Sequence, residues 1–194
     1  MRNKARILAV AAVSGGILHV SEAAAGPLRR IVLHTIYVNE PSPVQREAFG
    51  KARTYLADIY AAIGVTLVWS DEPAAPVKDT AMHITVVSVR DRPTDGLGSD
   101  PALRKETLGV APPATGRVYL WWDRIVRRSV KRHVPPEVVL ARVVAHEIGH
   151  HLLPGQGHTT SGLMTAALDA GPPNAPAFSD TQVESILTLL VASN

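Results

Sequence analysis

Residues 137–153, EVVLARVVAHEIGHHLL, constrain the fold more than any other part of the chain. Apolar side chains recur here every four residues, at Leu140, Val144, Ile148 and Leu152, as on the buried face of a helix. The segment therefore predicts a helix that packs one face against the rest of the domain and presents its histidines on another face.

Two histidines of this helix, His146 and His150, are four residues apart and so lie on one face. Neutral imidazole nitrogens are ligands that suit zinc, and Glu147 follows the first histidine directly. A carboxylate beside such an ion can act as general base towards a metal-activated water and pass the proton to a leaving amine. The HExxH spacing therefore predicts a zinc site that hydrolyses peptide bonds.

A catalytic zinc usually takes three protein ligands, so a third must come from another position. His151 points about 100° round the helix from the pair, which indicates a solvent-facing or capping histidine. His158 follows the helix-breaking Pro154-Gly155, where a turn could bring it back over the ion, and it is the favoured ligand. The alternative is a His-His-Glu site completed by Glu184, and the remaining candidates are Asp169 and Asp180.

Hydrophobic periodicity along the chain predicts an α+β domain, close to the α/β class, with most of its helices late. An amphipathic helix is predicted between Pro43 and Gly64. The last predicted helix begins near Ser179, which has capping-box spacing to Gln182. The other predicted elements are strands at 29–39, 65–69, 82–90, 108–112 and 117–122 and helices at 123–133 and 137–153.

The first 25 residues have the order of a secretory signal peptide: a basic start, a run of twelve mostly apolar residues, and small residues ending at Ala25. An uncleaved membrane anchor is the alternative, but the apolar run is short for a bilayer. We therefore expect residues 26–194 to form one exported domain, secreted or periplasmic.

Without the first 25 residues the chain has 17 basic and 16 acidic side chains, which gives no strong reason to expect a nucleic-acid partner. Cysteine is absent, which excludes disulfides.

The segments HEIGHHLLPGQGH (146–158) and TTSGLMT (159–165) resemble the metzincin clan of zinc metallopeptidases, and the order of elements resembles the matrix metalloproteinase catalytic domain. The clan's motif is HExxHxxGxxH, followed by a tight turn with a methionine beneath the zinc. The resemblance implies a five-stranded mixed, twisted sheet with a cleft above the ion. It also implies that Met164 is the turn methionine and that Gly155 supports the site.

The chain departs from that motif at one place. The clan's third histidine falls ten positions after the first, where this chain has Gln156, whereas Gly155 and His158 each lie two positions later than in the clan. An insertion of two residues at the turn accounts for both shifts. By the same resemblance, Leu108, Gly109, Val110 and Ala111 would form an edge strand that pairs with an extended substrate.

Two further patterns suggest binding surfaces. The predicted helix at 123–133 carries five cations, which indicate either a solvated helix face or a contact with anionic polymers or an acidic protein: Arg124, Arg127, Arg128, Lys131 and Arg132. Three aspartates in one predicted loop could bind calcium, although this interpretation is less favoured: Asp91, Asp95 and Asp100.

Together these patterns predict an exported, monomeric zinc endopeptidase that acts on protein or peptide substrates, with Glu147 as base. The alternatives are a noncatalytic exported zinc-binding domain and the His-His-Glu peptidase.

Overall fold

A computed structural model describes residues 29–70, 82–89, 107–166 and 177–192. The predicted signal peptide (residues 1–25), the predicted calcium loop (Asp91, Asp95 and Asp100) and Asp169 lie outside the described residues. The elements within it, in chain order, are β1 Arg30–Tyr37, α1 Pro43–Ala61, β2 Thr66–Ser70, β3 Met82–Val89, β4 Gly109–Val110, β5 Arg117–Trp121, α2 Trp122–Arg132, α3 Pro136–Leu152 and α4 Asp180–Ala192.

The strands form a five-stranded mixed sheet in the order β2-β1-β3-β5-β4, and with the four helices of the described part they give the predicted α+β class. Strands β2, β1, β3 and β5 run parallel. The edge strand β4 runs antiparallel to β5, with Gly109 opposite Leu120 and Val110 opposite Tyr119. One side of β4 therefore has no neighbouring strand in the described sheet.

The helix termini follow local sequence signals. The Ser42 hydroxyl accepts a hydrogen bond from the Gln45 amide at 3.2 Å, which caps α1. At α4 the predicted capping box is confirmed, because the Ser179 amide donates to Gln182 Oε1 at 2.9 Å and the Gln182 amide donates to Ser179 Oγ at 3.3 Å. The predicted boundaries differ slightly from the structure, since Trp122 begins α2 instead of ending the preceding strand and α3 begins at Pro136.

The core lies between the sheet and the helices α1 and α3, which pack against each other. From α1 it takes Phe49, Ala52, Leu56 and Ile59, the face predicted by the periodicity. Tyr60 is fully buried, and its hydroxyl donates to the Ala145 carbonyl oxygen in α3 at 2.9 Å. This contact attaches α1 to α3 at the residue directly before His146. No helix in the described ranges is long and apolar enough to cross a membrane.

Candidate metal centre

Three histidines converge at the C-terminal end of α3. His146, His150 and His158 each offer a ring nitrogen, and these atoms lie within 4.8 Å of one another. The rings of His146 and His158 are nearly parallel, with centroids 5.2 Å apart, and the His150 ring stands edge-on to both. His146 is buried, His150 is half-buried and His158 is exposed, so the cluster opens towards solvent on one side.

The spacing of the helical pair fits a shared metal ion. The two Nε2 atoms of His146 and His150 are 3.1 Å apart. Two nitrogens bound to one tetrahedral ion at zinc-like distances would be about 3.3 Å apart. Burial lowers the pKa of His146, and burial together with the neighbouring histidines lowers the pKa of His150 to about 4. Both rings therefore remain neutral at physiological pH, as metal ligation requires.

The chain folds back to place His158. After α3 ends, the Gln156 amide donates to the Leu153 carbonyl oxygen at 3.0 Å, which closes a turn through Pro154 and Gly155. Gly155 has φ +77°, a left-handed conformation that favours glycine, as its predicted turn role requires. The turn thus brings His158 close to the helical pair.

The loop after His158 returns beneath α3 and orients the first histidine. The Thr159 amide donates to the Met164 carbonyl oxygen at 2.8 Å, which holds the loop closed. His146 Nδ1 lies 2.7 Å from the Leu163 carbonyl oxygen, so Nδ1 carries the proton and Nε2 presents its lone pair to the cluster. This partner could not be predicted from the sequence, because a backbone carbonyl leaves no residue-type signal.

Met164, in the loop that follows His158, lies directly against α3. It is 1% exposed, and its thioether fills the space that a side chain at Gly149 would occupy. Glycine in a helix interior is destabilising unless close contact requires it. Gly149, between two histidines in the helix interior, is therefore the sequence signal for this contact, and it was not among the predicted site residues.

Glu147 lies beside the cluster and against the edge strand. It is 6% exposed, and the Ala111 amide donates a hydrogen bond to its carboxylate. A Cβ added at Gly109 would lie 2.9 Å from Glu147 Cγ, so the strand backbone and this side chain are in close contact. Burial raises the pKa of Glu147 to about 8, and the hydrogen bond from Ala111 partly offsets this effect.

The other predicted ligands lie elsewhere. His151 Nε2 lies 2.9 Å from the Arg117 carbonyl oxygen and serves as a contact between α3 and β5. Glu184 and Asp180 are exposed on α4, where they line a separate groove with Arg29. Among the residues that the structure describes, neither acid belongs to the histidine cluster.

A cleft of about 870 Å³ lies above the histidines. Its walls include the segment 107–111 with the edge strand, the turn 153–156, and the C-terminal end of α2. A volume of this size is typical of a ligand-binding site. Neither the comparison with protein-family models nor that with curated proteins gave a match for this chain.

Proposed function

We propose that the protein is an exported, zinc-dependent endopeptidase of metzincin-like type. The observation that carries the proposal is the convergence of three histidine nitrogens next to a buried glutamate, in a cleft bordered by a sheet edge. Three imidazoles that leave one side of the cluster open favour a catalytic metal over a closed structural one. The carboxyl of Glu147 supports the same conclusion, because a structural site needs no base.

His146, His150 and His158 would hold the ion. When bound there, zinc supplies Lewis acidity, which polarises a peptide carbonyl and lowers the pKa of a water. Nδ1 of His146 donates a hydrogen bond to the Leu163 carbonyl oxygen, so this ring would bind an ion through Nε2.

Glu147 would move the proton. Burial raises the pKa of the Glu147 carboxyl, and a cation held by the neighbouring histidines would lower it again, so that the carboxylate could take a proton and then release it. The Ala111 amide holds the carboxylate against the edge strand, so the base keeps its position while the proton is transferred. The same residue would then protonate the leaving amine.

The edge strand β4 would hold the substrate. Its outer side has no neighbouring strand in the described sheet, and it borders the cleft. An extended peptide can pair with such an edge through main-chain hydrogen bonds. Because Glu147 contacts Gly109 and Ala111, a peptide paired with β4 would pass directly beside the base.

Metal content tests the first part of the proposal. The purified protein should bind about one zinc per chain with three protein ligands. His158→Ala should lower zinc content and affinity, whereas His151→Ala, the neighbouring histidine outside the cluster, should leave both unchanged. Equal loss in the two variants would contradict the ligand assignment.

Digestion of a peptide library tests the second part. The wild type should cleave internal peptide bonds, a chelator should abolish the cleavage, and added zinc should restore it. Glu147→Gln should bind zinc normally and cleave nothing detectable. Folded, zinc-loaded wild type that cleaves no peptide would refute the peptidase and favour the noncatalytic alternative.

A further inference from the structure

Three cations of α2 line the cleft above the histidines: Arg128, Lys131 and Arg132. Lys131 and Arg132 lie three and four residues after Arg128, so each of them neighbours Arg128 on the helix surface. Arg128 is half-buried, and the other two side chains are exposed. These three of the five cations of α2 thus face the proposed active site.

The helix that carries these cations is attached to the segment that precedes the edge strand. Arg124, one turn earlier on the same face, is buried and donates from Nη1 to the Thr107 carbonyl oxygen at 3.0 Å. Its guanidinium also lies 5.0 Å from the centre of the Trp121 ring. This contact attaches α2 to the segment that enters β4, at the Thr107 end of the strand.

The described lining of this cleft has more cationic side chains than carboxylates. Among the described residues that line it, Glu147 is the only carboxylate. Within the described ranges, no carboxylate forms an ion pair with Arg128 or Lys131. Cations that face a concave site raise the local concentration of anionic ligands.

We propose that this cleft selects peptides with aspartate or glutamate close to the cleaved bond, which α2 recognises through Arg128 and Lys131. The inference rests on the proposed peptidase function and names its substrate class. An extended peptide that pairs antiparallel with β4 runs its C-terminal end towards Thr107. The selected acids therefore lie on the C-terminal side of the cleaved bond. A peptide is favoured over an anionic polymer because the cations adjoin an edge strand that pairs with main chain.

Cleavage of a matched peptide pair measures the selectivity. One peptide carries glutamate at the second and third positions after the cleaved bond, and the other carries glutamine there. The Arg128→Gln/Lys131→Gln double variant should lower kcat/KM for the glutamate peptide about fivefold and leave the glutamine peptide unchanged. The wild-type preference should also weaken as salt is raised.

Arg127→Gln is the matched control for Lys131→Gln. Both side chains are exposed on α2, one turn apart, but only Lys131 lines the cleft. Lys131→Gln should weaken the preference for glutamate, and Arg127→Gln should retain it. An equal effect of the two variants would attribute the preference to general charge and overturn the inference.

A binding measurement separates this inference from the proposed function. Fluorescently labelled glutamate and glutamine peptides are titrated into zinc-loaded Glu147→Gln protein, which needs no turnover. Equal Kd values for the two peptides would overturn the inference, whether or not the wild type cleaves. Displacement of the glutamate peptide by a sulfated oligosaccharide that binds more tightly would overturn it in favour of a polymer site. Absence of wild-type cleavage with tighter glutamate binding would refute the peptidase and leave the acidic selectivity standing.

Discussion

Replacing Gly149 with alanine would place a methyl group against the Met164 thioether. An ideal Cβ at this position overlaps Sδ and lies 3.2 Å from Cε of Met164 and 3.5 Å from Cε1 of Phe178. Met164 is 1% exposed and Phe178 is 7% exposed, so neither side chain can move freely into solvent. The added methyl group must therefore displace the loop that holds His146 through the Leu163 carbonyl.

Two opposing effects set the size of the change. Alanine is favoured over glycine in a helix interior by about 1 kcal/mol. Overpacking of a dense core costs about 1–3 kcal/mol. We expect Gly149→Ala to reduce the free energy of unfolding by about 1 kcal/mol, the difference between these terms.

A double-mutant cycle isolates the contact. Met164→Ala should cost about 2–5 kcal/mol because it leaves a cavity. In that background the methyl group at position 149 has room, and Gly149→Ala should stabilise by about 1 kcal/mol. The interaction energy between the two positions is then about 2 kcal/mol, which is typical of residues in contact.

Urea unfolding of the four proteins, monitored by circular dichroism with chelator present, measures the cycle. Equal slopes against urea would establish that the proteins share one unfolding transition. If Gly149→Ala stabilised the wild type by about 1 kcal/mol and the interaction energy were below about 0.5 kcal/mol, Met164 would not pack on this helix.

Three further perturbations test the site and its support. Gly109→Ala would press a Cβ within 2.9 Å of Glu147 Cγ, so kcat should fall about 10- to 100-fold with zinc content unchanged; an unaltered rate would contradict this contact. Burial raises the pKa of Tyr60 well above its ordinary value of 10.0. As pH rises past 10.0, the phenol therefore loses its proton in the unfolded chain before it does so in the folded protein, and the free energy of unfolding falls. Tyr60→Phe should flatten this decline in urea unfolding at pH 9 to 11, and an unchanged slope would exclude Tyr60 as its source. When the free zinc concentration is about 100 times the Kd, removing the zinc should lower Tm by about 5–10 °C, and the shift should be smaller for His158→Ala.

Local features of the fold could be read from the sequence. The periodicity of α1 and the side-chain caps at Ser42 and Ser179 involve residues at most four apart, so short segments determine them. The same holds for the pair His146 and His150, which any helix would place on one face. Gly155 was identifiable because a turn must follow Pro154.

The order of the strands could not be read in this way. Strand β1 pairs with β2 and with β3, which begin 36 and 52 residues later in the chain, and these pairings depend on the packing of the whole sheet. The predicted edge segment 108–111 is also longer than β4, because only Gly109 and Val110 pair with β5. Leu108 still contributes its carbonyl oxygen, which accepts from the Trp121 amide at 3.0 Å.

The sequence by itself determined which side chains could bind a metal and where the chain must turn, because helical spacing and backbone sterics act over a few residues. Only the tertiary structure decided how these groups meet. It placed His158 over the helical pair, the Leu163 carbonyl on His146 and the Ala111 amide on Glu147. It also turned one face of α2 into the cleft. Contacts between distant segments, some made by backbone atoms, depend on how the core packs and carry no local signature.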